Sequence, residues 1–174
     1  EFYLINREWS IERTAEGGLR IMAPAGGGTG SRNALITPFL TNWVLQDGTG
    51  IPVDSSTGFT LLNEATSSPD AAWVKRSRLA ALSAEQKEKF LPLCPDFVLE
   101  RPPSDDLATR QEKMQEYLDN GAQLGWLIDP LRRCVSVYRP SVQTEQLNNP
   151  SSLSGDPELR GFVLEPINIW EPPF

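Results

Sequence analysis

The chain has no histidine, only two cysteines and no long apolar run. Without histidine there can be no Ser-His-Asp or Cys-His triad, no histidine-ligated zinc and no imidazole acid or base. Any catalysis must therefore draw on Asp, Glu, Lys, Tyr, Ser or a metal. Cys94 and Cys134 are far apart in sequence, which fits a reducing, cytoplasmic setting better than a disulfide scaffold. No apolar run approaches the ~18 residues of a membrane span. The first residues, Glu1-Phe-Tyr-Leu-Ile-Asn-Arg-Glu8, lack the basic region and apolar core of a secretory signal. Cations are scarce as well: 16 Lys and Arg face 23 Asp and Glu, a net charge of −7. That balance counts against strong nonspecific binding to nucleic acid. It leaves room for a nuclease, because a metal-binding carboxylate cluster adds negative charge and a local basic face can coexist with a global deficit.

What is present describes a globular chain. At 174 residues, 39% hydrophobic and 22% charged, it fits one domain spanning 1–174 with a core of ordinary size. Residues 9–22 read as a hairpin, with Ile11 and Arg13 on one arm, Leu19 and Ile21 on the other, and Gly17-Gly18 at the reversal. Residues 23–30 read as a glycine-rich loop requiring positive φ or close backbone approach. It lacks the Gly-Lys-Ser/Thr ending of a phosphate loop. Leu35, Ile36, Phe39, Leu40, Trp43 and Val44 then recur at helical spacing, with Pro38 bending the helix or shifting its start. Short strands are predicted around Phe59, at residues 71–74 and at 97–99. A capped helical turn is predicted from Ser83. Residues 106–120 form the strongest predicted helix, with Leu107, Met114, Tyr117 and Leu118 on its apolar face. Strands at 124–128 and 134–138 flank a turn, and the tail reads as short strands and turns. The order predicts an α+β fold with a mixed sheet.

The chemistry concentrates in Ser68-Pro-Asp-Ala-Ala-Trp-Val74 and Cys94-Pro-Asp-Phe-Val-Leu-Glu100. Each is a Pro-Asp step leading into apolar residues of strand character. Pro-Asp steps commonly open strands and cap turns, which is the simpler reading of Asp70 and Asp96. Glu100 ends a buried apolar run, where a carboxylate is costly unless a cation or metal is near. Magnesium takes few carboxylates and keeps several waters, so Asp70 and Glu100 on adjacent strands would suit it, with manganese an alternative. Lys113 on the strong helix reads first as a solvated charge able to pair with Glu116. Placed directly after Glu100 in the chain, it could also reach back to orient water or stabilise phosphate charge. Lys75-Arg-Ser-Arg78 is the densest basic cluster, and Lys75, Arg76 and Arg78 are expected to contact DNA beside the metal. Trp73 and Trp126 read as core, and Arg132 and Arg133 as solvated hairpin charges.

Several motifs in one order resemble a known family. They are Ser-Ser-Thr-Gly-Phe (55–59), the two Pro-Asp runs, Pro-Ser-Asp (103–105), Lys-Met-Gln-Glu-Tyr-Leu-Asp-Asn-Gly-Ala (113–122), Gly-Trp-Leu-Ile-Asp-Pro (125–130) and Val-Tyr-Arg-Pro (137–140). Together, from the region of residues 6–7 to Trp170, they resemble the restriction-endonuclease-like family common in cyanobacteria, within the PD-(D/E)XK nuclease superfamily. The resemblance implies a mixed sheet flanked by helices, magnesium-dependent cleavage of DNA and a homodimer or higher homo-oligomer. By position it assigns Asp70 and Glu100 to the metal and Lys113 to a lysine moved from strand to helix. This chain departs from the family in two places. Gly28 stands where a Gly-Gly-Glu-Thr-Gly pattern has an acid. The passage Arg101-Pro-Pro-Ser-Asp105 is one residue short, which could displace Lys113 from Glu100. These departures leave open an alternative: a nuclease-fold protein with a weakened or inactive site, acting in binding or assembly.

Overall fold

The computed structural model describes residues 10–22, 26–101 and 107–172. Readings made above for residues 6–7, 23–25 and 102–106 lie outside those segments. Five helices are described: α1 (Gly27–Asp47), α2 (Arg76–Ala80), α3 (Ala84–Lys87), α4 (Leu107–Asp119) and α5 (Ile167–Trp170). The expected hairpin is formed by β1 (Ser10–Arg13) and β2 (Leu19–Met22), with Ile11 opposite Ile21 and Arg13 opposite Leu19. Gly17 makes the reversal at φ 88°, which a side chain would disfavour. With β4 (Phe59–Thr60) and β5 (Thr66–Ser67), the hairpin builds a sheet of order β2-β1-β5-β4.

A six-stranded sheet carries most of the core. Its strands are β3 (Gly50–Asp54), β6 (Ala71–Lys75), β7 (Phe97–Glu100), β8 (Leu124–Asp129), β9 (Cys134–Tyr138) and β10 (Glu145–Asn148). They lie in the order β10-β9-β8-β7-β6-β3. Only the β7–β8 pair is parallel. A parallel pair needs a crossover connection, and α4 lies in that connection. The tail adds a small hairpin of β11 (Leu153–Ser154) and β12 (Val163–Leu164) before α5. The expected α+β class with a mixed sheet is the one observed.

Strand alternation splits the apolar side chains into two layers. Trp73, Phe97, Leu99, Trp126 and Ile128 face Ile36, Leu40 and Val44, which recur every four residues on α1. The tail closes this layer, with Phe162 stacked on Trp126 at 5.6 Å. On the opposite face Ala72, Val74, Val98 and Leu127 meet Met114 and Tyr117 of α4. Glu100 shares strand parity with Val98, so it points toward α4.

The glycine-rich stretch differs from expectation. Gly27, Gly28 and Gly30 are helical, none has a positive φ, and Gly27 and Gly30 face open space. The helix also runs through Pro38 and ends at Gly48, whose φ of 70° lets its N–H reach the Val44 carbonyl at 2.8 Å. Packing of the Ile36–Leu40–Val44 stripe outweighs the one backbone bond that Pro38 removes. Among the described residues, no helix is long and apolar enough to cross a membrane.

Candidate active site

The register of β6 and β7 sorts the two Pro-Asp steps. Ala71 lies opposite Leu99 and Trp73 opposite Phe97. One step further in the same register sets Asp70 beside Glu100, and in the other direction sets Asp96 beside Val74. Asp96 accepts a hydrogen bond from the Lys75 N–H at 2.9 Å and pairs with Arg78 at 3.1 Å. It is a structural acid, as its Pro-Asp context suggested. Lys75, Arg76 and Arg78 share that end, where Lys75 Nζ lies 3.9 Å from Asp96 and Arg76 Nε donates to the Gly48 carbonyl at 3.2 Å. The length of β6 separates them from Asp70 by about 16 Å. The expectation that this cluster borders the Asp70–Glu100 carboxylates is therefore corrected: strand direction carries it to the opposite end of the sheet.

Lys113 and Glu100 do meet. Lys113 Nζ lies 2.8 Å from Glu100 Oε1 and 2.6 Å from Glu12 Oε1, and donates to the Ser68 carbonyl at 3.3 Å. Three acceptors thus satisfy the three protons of an ammonium whose side chain is only 2% exposed. The reading of Lys113 as a solvated charge is set aside, and the shortened passage after Glu100 does not displace it. The spacing explains why. Arg110, Lys113, Met114 and Tyr117 fall three and four residues apart on the sheet-facing side of α4. Arg110 Nη1 donates to Glu100 Oε2 at 2.8 Å. The Tyr117 hydroxyl lies 2.9 Å from Ser67 Oγ and 3.3 Å from Glu100 Oε1. Lys113 Nζ also sits 5.7 Å from the centre of the Tyr117 ring.

Glu12 was not singled out in the sequence. It reaches the centre because β1 pairs with β5, with Arg13 opposite Thr66. Its Oε1 accepts from the Ser68 N–H at 2.8 Å and from Ser67 Oγ at 3.3 Å, besides Lys113. Nothing in the hairpin sequence marks Glu12. The available signal was on α4, where a lysine and an arginine stand in the stripe that also carries Met114 and Tyr117. Buried cations need buried acids.

Asp70 is half-buried. Its Oδ1 accepts from Asn33 Nδ2 at 3.0 Å and its Oδ2 from the Arg101 N–H at 2.8 Å. The Arg101 guanidinium in turn donates to Asn33 Oδ1 at 2.8 Å through Nε. Burial pushes the Glu100 carboxyl above its usual pKa, with Lys113 opposing and the Asp70 charge adding to the rise. Burial likewise pushes the Tyr117 phenol well up. Burial alone would lower Arg110, but Glu100, Asp70 and Glu12 outweigh it and hold the guanidinium charged. Burial lowers Arg101, and Asp70 opposes this. Three acids, Glu12, Asp70 and Glu100, thus stand among three cations, Lys113, Arg101 and Arg110. Among the described residues, no group of three or more Asp, Glu, Cys or His could hold a metal ion.

The profile of the Uma2 family, described as "Putative restriction endonuclease", matches residues 1–167. The chain belongs to this family. A solved structure from Anabaena variabilis ATCC 29413, titled as a putative nuclease belonging to DUF820, superposes with a TM-score of 0.78. That match has 21% sequence identity and covers 92% of this chain and 89% of the other. At that identity the likeness establishes a shared fold. No curated protein matches the chain. The acid expected in the family's glycine stretch is Gly28 here, in the first turn of α1. The carboxylate that joins Glu100 at Lys113 comes from β1, as Glu12.

Proposed function

We propose that this family member hydrolyses DNA phosphodiester bonds in a magnesium- or manganese-dependent reaction, on a centre of PD-(D/E)XK type. The observation that carries this reading is the meeting of buried Glu12, Glu100 and Lys113, from β1, β7 and α4, beside the half-buried Asp70 just before the start of β6. So many charges are not gathered for stability, since buried ion pairs contribute little net. Asp70 and Glu100 are the residues that would hold the ion. The donor set fits: both are hard oxygen ligands, both Asp70 oxygens and Glu100 Oε2 accept one hydrogen bond each and so keep a second lone pair, and magnesium needs few carboxylates. The bound ion would lower the pKa of its water and polarise the phosphoryl oxygen, which removes the need for histidine.

The chain's own groups set the rest. Lys113 is held by Glu12, Glu100 and Ser68, so one of its three N–H groups must be released before it faces a water or a phosphate oxygen. Glu12 and Ser68 then keep the ammonium in place while that third bond is exchanged. Arg110 shares Glu100 with Lys113 and offsets negative charge brought by the substrate. Tyr117, through Ser67, fixes the rotamers of both glutamates.

One observation favours a second reading, a nuclease-fold protein with a weakened or inactive site that serves in binding or assembly. The three carboxylates are already balanced by three cations of the chain, leaving little net charge to draw an ion. Nicking of supercoiled plasmid in magnesium or manganese, compared with Glu100→Ala, separates the two. Metal-dependent nicking lost in Glu100→Ala supports the nuclease. Equal nicking by both proteins points to a contaminant, and no nicking by either favours the second reading.

A further inference from the structure

Beside Asp70 lies a groove that the chemistry above does not use. It has a volume of about 500 Å³ and runs between α1 and the turn that follows β3. Asn33, Thr41 and Asn42 line its α1 wall, and Asp54, Ser55 and Asp70 line the side of the sheet. This size falls within the range of small-ligand sites, roughly 300–1,000 Å³. The geometry points to a subsite for one unpaired nucleobase of the DNA, with cytosine favoured over thymine. The inference rests on the proposed nuclease reading and deepens it.

Charge decides which part of a nucleotide fits. None of the residues lining the groove is lysine or arginine, and two are aspartates. A phosphate would be repelled, whereas a neutral base with amino donors would be drawn in. Position supplies the second argument. Asp54 pairs across the sheet with Ala71, the residue next to Asp70. Strand spacing and rise put the Asp54 and Asp70 backbones roughly 6 Å apart. That is about one step of a nucleic-acid chain, so a base attached next to a phosphate at Asp70, which itself lines the groove, can enter it. Such a base must be out of its stack, so the substrate is single-stranded or locally unpaired.

Asp54 supplies the discrimination. Its Oδ1 accepts from the Ser56 N–H at 3.0 Å and from the Ser56 hydroxyl at 2.6 Å, which fixes the side chain in the turn. Its Oδ2 has no such bond. A carboxylate oxygen accepts from the cytosine amino group and meets only the carbonyl O4 of thymine at the corresponding position. Asn42 can supply both a donor and an acceptor to the remaining edge.

The test measures binding of labelled single-stranded oligo-deoxycytidine and oligo-deoxythymidine in calcium, by fluorescence anisotropy, alongside cleavage of both in magnesium and manganese. The wild-type protein should bind the cytosine strand about tenfold more tightly, the scale of one well-placed base contact. Asp54→Asn keeps the Oδ1 acceptor for the turn and replaces the outer oxygen by an N–H donor, so the preference should vanish or reverse. Asn42→Ala should reduce affinity for both strands. Equal affinity for the two strands, or a preference unaltered in Asp54→Asn, overturns the subsite while leaving the nuclease reading intact. Neither binding nor cleavage of either strand overturns the subsite, and absence of metal-dependent plasmid nicking as well overturns both.

Discussion

Replacing Lys113 by methionine strikes the centre at its most sensitive point. Methionine fills the apolar part of the lysine stem and removes the ammonium. Glu12 is 3% exposed and Glu100 0%, so both carboxylates would remain in a dry site, with Arg110 reaching only Glu100. Removing one partner of a buried ion pair costs about 3–5 kcal/mol. That is a large share of the roughly 5–15 kcal/mol that stabilises a typical domain. The cost must also depend on pH. Burial already raises the folded-state pKa of Glu100, against the pull of Lys113. A carboxyl with a raised folded pKa contributes its stability fully below the unfolded value and loses it as pH rises through the folded value. Without Lys113 the folded pKa climbs further, so the loss at neutral pH grows. Below the unfolded carboxylate range, near pH 4 to 5, Glu100 can be neutral in both states and the deficit of the variant should shrink. Urea unfolding followed by circular dichroism at about pH 7.5 and about pH 3.5 measures the difference. A deficit below about 1 kcal/mol at neutral pH is what a surface pair would give, and would refute the buried clamp. A large deficit that is equal at both pH values would refute the electrostatic cause and leave lost packing.

Tyr117→Phe keeps the ring against Lys113 and removes only the hydroxyl that meets Ser67 and Glu100. Activity or metal affinity should fall about 10- to 100-fold, as for other groups that orient a ligand from behind. Titration calorimetry with manganese and a plasmid-nicking time course read the two effects. Asp96→Ala should do the reverse. It strips the Lys75 N–H and Arg78 of their acceptor and should cost about 1–3 kcal/mol in urea unfolding. The Kd for manganese should not change, because Asp96 lies at the end of β6 and β7 remote from Asp70.

Much of this protein follows from local patterns. Apolar runs after proline turns specify β6 and β7, and a four-residue stripe specifies α1. The spacing of Leu107, Met114, Tyr117 and Leu118 specifies α4. The same reading picked out Asp70, Glu100 and Lys113, because a carboxylate ending a buried strand needs a nearby positive charge. It failed where local and tertiary preferences compete. Glycines 27, 28 and 30 look like a loop, yet they continue into a helix held by its apolar stripe. Lys75, Arg76 and Arg78 follow Asp70 closely in sequence, yet an extended strand carries them away from it.

The sequence by itself determined the fold class, the family and three of the charged residues that cluster in the site, because those depend on periodicity and residue order. Only the tertiary structure decided which acids keep company with Lys113. The β6–β7 register puts Glu100 rather than Asp96 at the centre, and the β1–β5 pairing brings in Glu12. Strand pairing joins residues far apart in the chain, and no local preference of residues 10–22 records what β5 will place opposite them. The buried ammonium then takes the acceptors that this pairing supplies.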